Sequence, residues 1–464
     1  MADVRKVAAY MAVVALVGLV STGLGVIPRQ SIALTAFVAI IMGALLYWRF
    51  RVAFALVGIG ILFGAGLLDI EHFIESAGFD IILFLIAMMM VIGFLEERRF
   101  FEALLEKLIV VAGANARKLI ALLMVMAAVA SALVGEVTSI LFVMATVIHL
   151  TGRLRLPVVP LLIMSVFATN VGSNATVIGN PIGVLIALRA GLTFLDFIRW
   201  AAPISAATLA LTILLCLLYY RGYIREMDER LKQYHAEKIV KKTASSENPN
   251  KIDWLSLLIF GGMVAGLVMH SPLEDALGLE RDTMLVGVPV IFAGIVLFLL
   301  KDRAREFTER RVDWWTLSFF FLFFATVGTL EFTGVAQLMS ESIFSLSGGE
   351  FFSTYMLVGW TVGFMTAFMD NVLAVALWIP IVKSIGEFGF NVFPLWWAML
   401  FARTLMGNLT IIGSTANIVA VGMVERERVA HVTMRDWIVV GALVSFTTFL
   451  LSLILLYIQI PLMP

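Results

Sequence analysis

Cysteine is almost missing from this chain: Cys216 is the only one in 464 residues. A lone cysteine makes an intrachain disulfide impossible and supplies no metal cluster. Charge is scarce too, at 14% of residues against about 25% in soluble domains. The 33 basic and 33 acidic side chains cancel, which argues against a nucleic-acid partner. The five histidines fall at no metal-ligand spacing. A glycine-rich phosphate loop ending in Gly-Lys-Ser/Thr is absent, so there is no sign of an ATP motor. No nucleophile–base set appears either, which leaves an enzyme the remotest reading.

Apolar residues fill the space. They make up 61% of the chain, and the mean hydropathy is +1.00, beyond what soluble domains carry. The sequence therefore predicts an all-α polytopic membrane protein. Apolar windows of about 17–25 residues can cross a bilayer as helices. Such windows occur near 8–26, 31–48, 52–68, 80–95, 199–220, 253–270, 284–300, 313–333 and 436–460. Arg5 and Lys6 precede the first apolar run as in a signal peptide. Further spans follow at once without a small-residue cleavage site, so this run reads as the first span.

Lys and Arg near span ends set orientation. With the N-terminus inside, the loops at 49–51, 96–118, 151–156, 221–251, 301–312 and 425–435 join Arg5 and Lys6 on the cytoplasmic side. Together they hold 27 of the 33 basic residues. This bookkeeping works only if 117–150 and 354–390 do not cross fully. Each is apolar, polar at its centre and apolar again: Gly135-Glu-Val-Thr-Ser139 and Thr366-Ala-Phe-Met-Asp-Asn371. They read as re-entrant helical hairpins, the first entering from the cytoplasm and the second from outside. Non-helical backbone at membrane depth is tolerated where it lines a cavity or is buried in protein.

Two polar breaks complete the pattern. Phe167-Ala-Thr-Asn-Val-Gly-Ser-Asn-Ala-Thr-Val-Ile-Gly-Asn-Pro181 interrupts an oily helix at 157–190. Phe401-Ala-Arg-Thr-Leu-Met-Gly-Asn-Leu-Thr-Ile-Ile-Gly-Ser-Thr-Ala-Asn417 repeats its skeleton in a helix at 394–424. Asn174 matches Asn408, Thr176 matches Thr410, Gly179 matches Gly413 and Glu136 matches Asp370, each pair 234 residues apart. The expected organisation is an extra span at 1–30, one repeat at 31–220, a hydrophilic linker at 221–251 and a second, inverted repeat at 252–464. Amphipathic stretches at 97–112 and 334–346 follow equivalent spans. Inverted repeats with broken helices meeting near the midplane are typical of secondary transporters.

The chemistry falls on the tips and breaks. A carboxylate deep in a bilayer costs about 2.5–3.5 kcal/mol on insertion scales and persists where it meets water, a partner or an ion. Glu136 and Asp370 are the candidate Na⁺ or proton sites. Thr138 and Ser139 beside Glu136, and Asn371 beside Asp370, are candidate tip ligands. Asn170, Ser173, Asn174, Thr176 and Asn180 in the first break supply neutral oxygens and amides suited to a small ion. Asn408, Thr410, Ser414, Thr415 and Asn417 do so in the second. A single Gly or Ser at such a place is more often helix packing; two aligned clusters beside two acids favour a site. Arg403 is either a ligand for an anionic substrate or a permanent counter-ion for Asp370.

The run 168–181, preceded by Glu136-Val-Thr-Ser-Ile-Leu, resembles the ion transporter superfamily. Within it the match is to the branch of arsenite permeases, sodium/proton antiporters of the same type and the pink-eyed dilution (P) protein. The resemblance implies eleven spans plus two hairpins, scaffold and transport domains, a homodimer and elevator-type alternating access. More distantly the chain is similar to divalent-anion/sodium symporters, whose tips carry Ser-Asn-Thr. Here the tips read Gly135-Glu-Val-Thr138 and Met369-Asp-Asn-Val372, a departure that argues against dicarboxylate transport. The expected function is Na⁺/H⁺ antiport in the cytoplasmic membrane, with a small inorganic ion as substrate, the lipid bilayer as surroundings and no cofactor beyond the coupling ions. Proton-coupled efflux of arsenite or another oxyanion is the alternative, and an uncoupled channel ranks lower.

Overall fold

The computed structural model describes residues 2–23, 26–98, 115–241 and 253–464. Among them ten helices are long and apolar enough to cross a membrane, or eleven if the pair Trp254–Val268 and His270–Leu277, bent by 63°, counts as one span. Large apolar side chains stay exposed along whole helix faces, such as Val439, Leu443, Phe446, Leu450, Ile454 and Ile458 on Met434–Gln459. An apolar band of that extent is unsuited to water and suited to lipid. The chain is a multi-pass, all-helical membrane protein.

Two expected spans come out differently. The one at 52–68 is the 14-residue helix Arg51–Gly64, about 21 Å long, which stops where Gly66 takes φ +65°. The one at 253–270 ends at Val268 and turns sharply into a short second helix. Three of the ten apolar helices, Ala116–Val134, Glu136–Leu154 and Phe351–Phe368, fall in the two stretches expected to form re-entrant hairpins. Their length alone therefore does not separate arms from spans. The linker opens as the helix Arg221–Lys241, and its remainder lies outside the described residues. So does the amphipathic stretch at 97–112 after Arg98, whereas its counterpart is the helix Val335–Leu346.

Two sets of helices pack on themselves. Pro28–Leu46, Arg51–Gly64, Phe79–Glu97, Thr283–Leu300 and Trp314–Phe332 form one. The hairpins, the broken helices, Phe194–Tyr219 and Met434–Gln459 form the other. In the second set, the leading arm of each hairpin lies along the leading half of the broken helix that follows it. The hairpins run Ala116–Val134 with Glu136–Leu154, and Phe351–Phe368 with Asn371–Glu387. The broken helices run Val159–Gly172 with Pro181–Ala190, and Phe393–Met406 with Thr415–Arg426.

Local chemistry explains the breaks. Both leading halves open with a proline in the first turn, which suits a helix start. After each break a single 3₁₀ turn, Val177–Gly179 or Ile411–Gly413, precedes a fresh helix start. Asn180 caps that start by accepting from Gly183 N, and Ser414 does so from Ala416 N. A Cβ on Gly172 would run into the backbone of Ala128, so glycine there lets the hairpin arm lie against the broken helix.

Candidate functional site

Each hairpin turns beside a break. Gly135, at φ +89° and ψ 155°, adopts a backbone conformation that side chains resist, and it delivers Glu136 as the first residue of the second arm. Thr176 pins this tip by donating its hydroxyl to the Ala132 carbonyl. Thr410 donates in the same way to the Ala367 carbonyl of the other hairpin. Two of the four expected threonine ligands, Thr176 and Thr410, thus hold backbone, and they hold it at equivalent places.

The two matched acids differ in their surroundings. Glu136 is buried, and its Oε2 lies 2.8 Å from Nη2 of Arg403, itself wholly buried. Ser173 Oγ sits 3.3 Å from that carboxylate and 3.3 Å from the guanidinium. Arg403 is therefore the counter-ion of Glu136, and among the described residues no ion pair within 4 Å joins it to Asp370. The cause is register: Arg403 lies in the last turn of its half-helix, on the face turned toward the first hairpin. Asp370 caps its own helix, accepting from Val372 N at 2.8 Å and Leu373 N at 3.4 Å. Among the described residues it forms no ion pair within 4 Å.

Asn170 ties the two breaks together. Its Nδ2 donates to Oδ1 of Asn408 at 2.7 Å and of Asn417 at 2.8 Å, while Ser414 donates to its Oδ1 at 3.0 Å. Asn417 Nδ2 in turn reaches the Gly407 and Thr410 carbonyls, and Asn180 Nδ2 the Ser173 carbonyl. Four of the expected amide ligands thus cross-brace the broken helices. Trp437 adds a bond from its indole N–H to the Asn408 carbonyl at 2.9 Å; nothing in its sequence neighbourhood pointed to this.

Other polar atoms here are buried without a hydrogen-bond partner among the described residues. They are both ends of the Asn174 amide, Asn408 Nδ2, Asn371 Oδ1, and Nε and Nη1 of Arg403. A buried polar group left unpaired costs about 1–3 kcal/mol, so such a concentration marks a place built to meet a ligand or water. Ser139 bonds back to the Glu136 carbonyl in its own helix, and Thr138 is half-buried next to it.

A cavity of about 410 Å³ reaches this centre. Its walls include Asp370, Asn371, Ser414 and Thr415 together with Trp48 and Glu425. Trp48 and Glu425 adjoin the basic loops, so the cavity runs from the basic face to the second hairpin tip. A second cavity of about 250 Å³ lies on the opposite face, lined by Glu75, Arg189, Glu331 and Lys383 among others. There Arg189 makes a two-pronged ion pair with Asp80, at 2.9 and 3.2 Å. Glu96, at the end of its helix, pairs with Arg311 at 2.8 Å.

A buried centre of polar breaks and paired charge, reached by a cavity and framed by lipid-facing helices, defines a membrane transporter and not an enzyme. Known proteins agree. A family model described as citrate transporter matches residues 37–402 and 343–463. An uncharacterized transporter of Mycobacterium tuberculosis is 30% identical over 440 residues, covering 92% of this chain and 98% of the relative. A 46 kDa membrane protein of Mycobacterium leprae is 28% identical over 362 residues, 77% of this chain and 80% of its own. The P protein of Homo sapiens is 24% identical over 426 residues, 77% of this chain and 51% of that longer protein. The chain belongs to the citrate transporter family within the ion transporter superfamily.

Proposed function

We propose that this chain is a secondary active transporter that exchanges Na⁺ for H⁺ at the carboxylate of Asp370. One observation carries the reading. Of the two matched acids, Glu136 is already neutralised by Arg403 at 2.8 Å, while Asp370 has no ion pair among the described residues and faces a cavity. Glu136, Asp370 and Arg403 together sum to one net negative charge at the tips and breaks, which favours a cation or a proton. Competition for one carboxylate couples the two without further machinery. Asn371, Ser414 and Thr415 line the same cavity and supply neutral oxygens around it.

The mechanism is elevator-type alternating access, with the hairpins and broken helices sliding against the other helices. The matched tips and breaks support an inverted pair of halves at 31–220 and 252–464, with 1–30 as an extra span and 221–251 as linker. The loop charges support a cytoplasmic N-terminus, and the resemblance supports a homodimer in the cytoplasmic membrane. The large cavity then opens inward.

A second reading is coupled transport of an anion. The unpartnered donors of Arg403, Asn174 and Asn408 favour it, as does the description of the family. Proteoliposomes holding the full chain and a pH-sensitive dye separate the two. Na⁺ gradients should drive proton movement, and Asp370→Asn should abolish it. Proton movement that follows citrate or arsenite but not Na⁺ would transfer the conclusion to the anion.

A further inference from the structure

The Arg189–Asp80 ion pair lies away from the tips and breaks, at a place no other pair shares. Arg189 is in the last turn of Pro181–Ala190, the second half of the first broken helix. Asp80 is in the first turn of Phe79–Glu97. The first belongs to the hairpin and broken-helix core, the second to the other set of helices. Among the described residues this is the one ion pair that joins the two sets. At the basic face, the pairs of Glu96 and Glu97 with Arg311, and of Glu97 with Arg303, stay within the first set and its loops.

Both ends are built for the contact. An acid in a first turn and a base in a last turn each meet the favourable end of a helix dipole. The guanidinium reaches both carboxylate oxygens, at 2.9 and 3.2 Å, the two-pronged geometry that lysine cannot copy. Gly78, at φ +67°, makes room for it, since a Cβ there would lie 3.4 Å from Nη2 of Arg189. The cleft beside the pair carries the same polarity. Glu75 and Glu331 line it from the first set, and Arg189 and Lys383 from the core.

We propose that Arg189 and Asp80 form the latch of the transport cycle: made while the large cavity is open at the basic face, and broken each time the core slides to open the opposite face. This rests on the sliding motion proposed above. Sliding carries Arg189 away from a partner fixed on the other set, so the pair belongs to one arrangement only. Asp313 begins the helix equivalent to Phe79–Glu97, but Met423 stands 234 residues after Arg189, so the matched position carries no cation. The latch therefore weights the resting protein toward the arrangement in which the basic face is open. It acts on the position of the core, not on the transported ion.

The test is the rate at which a maleimide labels single cysteines in the purified full chain, on a Cys216→Ser background. Ala376 and Leu185 line the cleft from different helices of the core and are 2% and 3% exposed. With the latch intact, Ala376→Cys and Leu185→Cys should label slowly, through brief separation of the two sets at this face. Arg189→Gln and Asp80→Asn should each speed both labels by the same factor, about fivefold, the upper range for a partly exposed ion pair. Should Arg189→Gln fail to fold, Arg189→Lys provides the measurement: it keeps the charge, loses one prong and should speed both labels by a smaller factor. Labelling left unchanged by the charge-removing variants, or by Arg189→Lys where that variant decides, overturns the proposal. So does a rise at one cysteine alone; at Leu185, four residues from Arg189, it would mark local fraying. No labelling of either cysteine in any variant defeats the sliding motion as well. Slow labelling with the latch intact that no variant alters defeats only the latch.

Discussion

Removing the Glu136 charge should damage this protein in a way that removing the matched Asp370 charge does not. In Glu136→Gln, Arg403 stays fully buried but loses the carboxylate 2.8 Å away. Its Nε and Nη1 have no partner among the described residues, and Nη2 keeps the Ser173 hydroxyl at 3.3 Å with a neutral amide oxygen in place of the carboxylate, so the guanidinium charge is left uncompensated. Stripping one member from a buried ion pair costs about 3–5 kcal/mol. In Asp370→Asn the amide oxygen still accepts from Val372 N and Leu373 N, and Asn caps helices about as well as Asp, so the cost is about 0–1 kcal/mol. The two variants should therefore separate by about 3 kcal/mol. Detergent-purified protein, followed by tryptophan fluorescence during thermal unfolding, reads this as a clearly lower midpoint for Glu136→Gln. The double variant Glu136→Gln with Arg403→Gln should recover much of the loss, because the uncompensated charge is gone. Equal midpoints for the two single variants, or a double variant no better than Glu136→Gln, would refute the argument.

Asn170→Ala deletes three buried side-chain bonds and strands Asn408, Asn417 and Ser414. A loss of about 3 kcal/mol or more is expected, read as a lower yield of monodisperse protein. Gly172→Ala drives a methyl into the Ala128 backbone and should cost about 2 kcal/mol or more, visible as the same loss of monodisperse protein on size-exclusion chromatography. On the basic face, Lys232 and the Ala116 N–H hold the Asp228 carboxyl below the usual carboxylate range. Its grip on the start of the first hairpin is complete above the ordinary carboxylate pKa and is lost as pH falls through the depressed value. Hydrogen exchange at Ala116 should accelerate over that acid range, and Asp228→Asn should remove the pH dependence.

Much of the fold could be read from the sequence because its cues are local. A proline, a glycine or an asparagine inside an oily run declares a helix break wherever it occurs, and the 234-residue spacing made both breaks visible. The tip acids were legible for the same reason, since a carboxylate amid apolar neighbours stands out. Partnerships were not. Arg403 pairs with a residue 267 positions away, and no periodicity encodes which face of its half-helix meets the first hairpin. Asn170 was visible as a polar residue, but its three partners all lie in the other half of the chain. Arg51 was hidden by its neighbour: beside Arg49 it counted as one more basic loop charge, whereas folding buries it under Trp48. Helix ends moved where glycine geometry decided them, as at Gly66.

Glu136 comes from the first half of the chain and Arg403 from the second, while their matched positions hold Asp370 and Thr169. Each half alone would carry a buried charge without its opposite. Two half-length polypeptides made separately would thus be unable to form this core as pairs of like halves and would need each other.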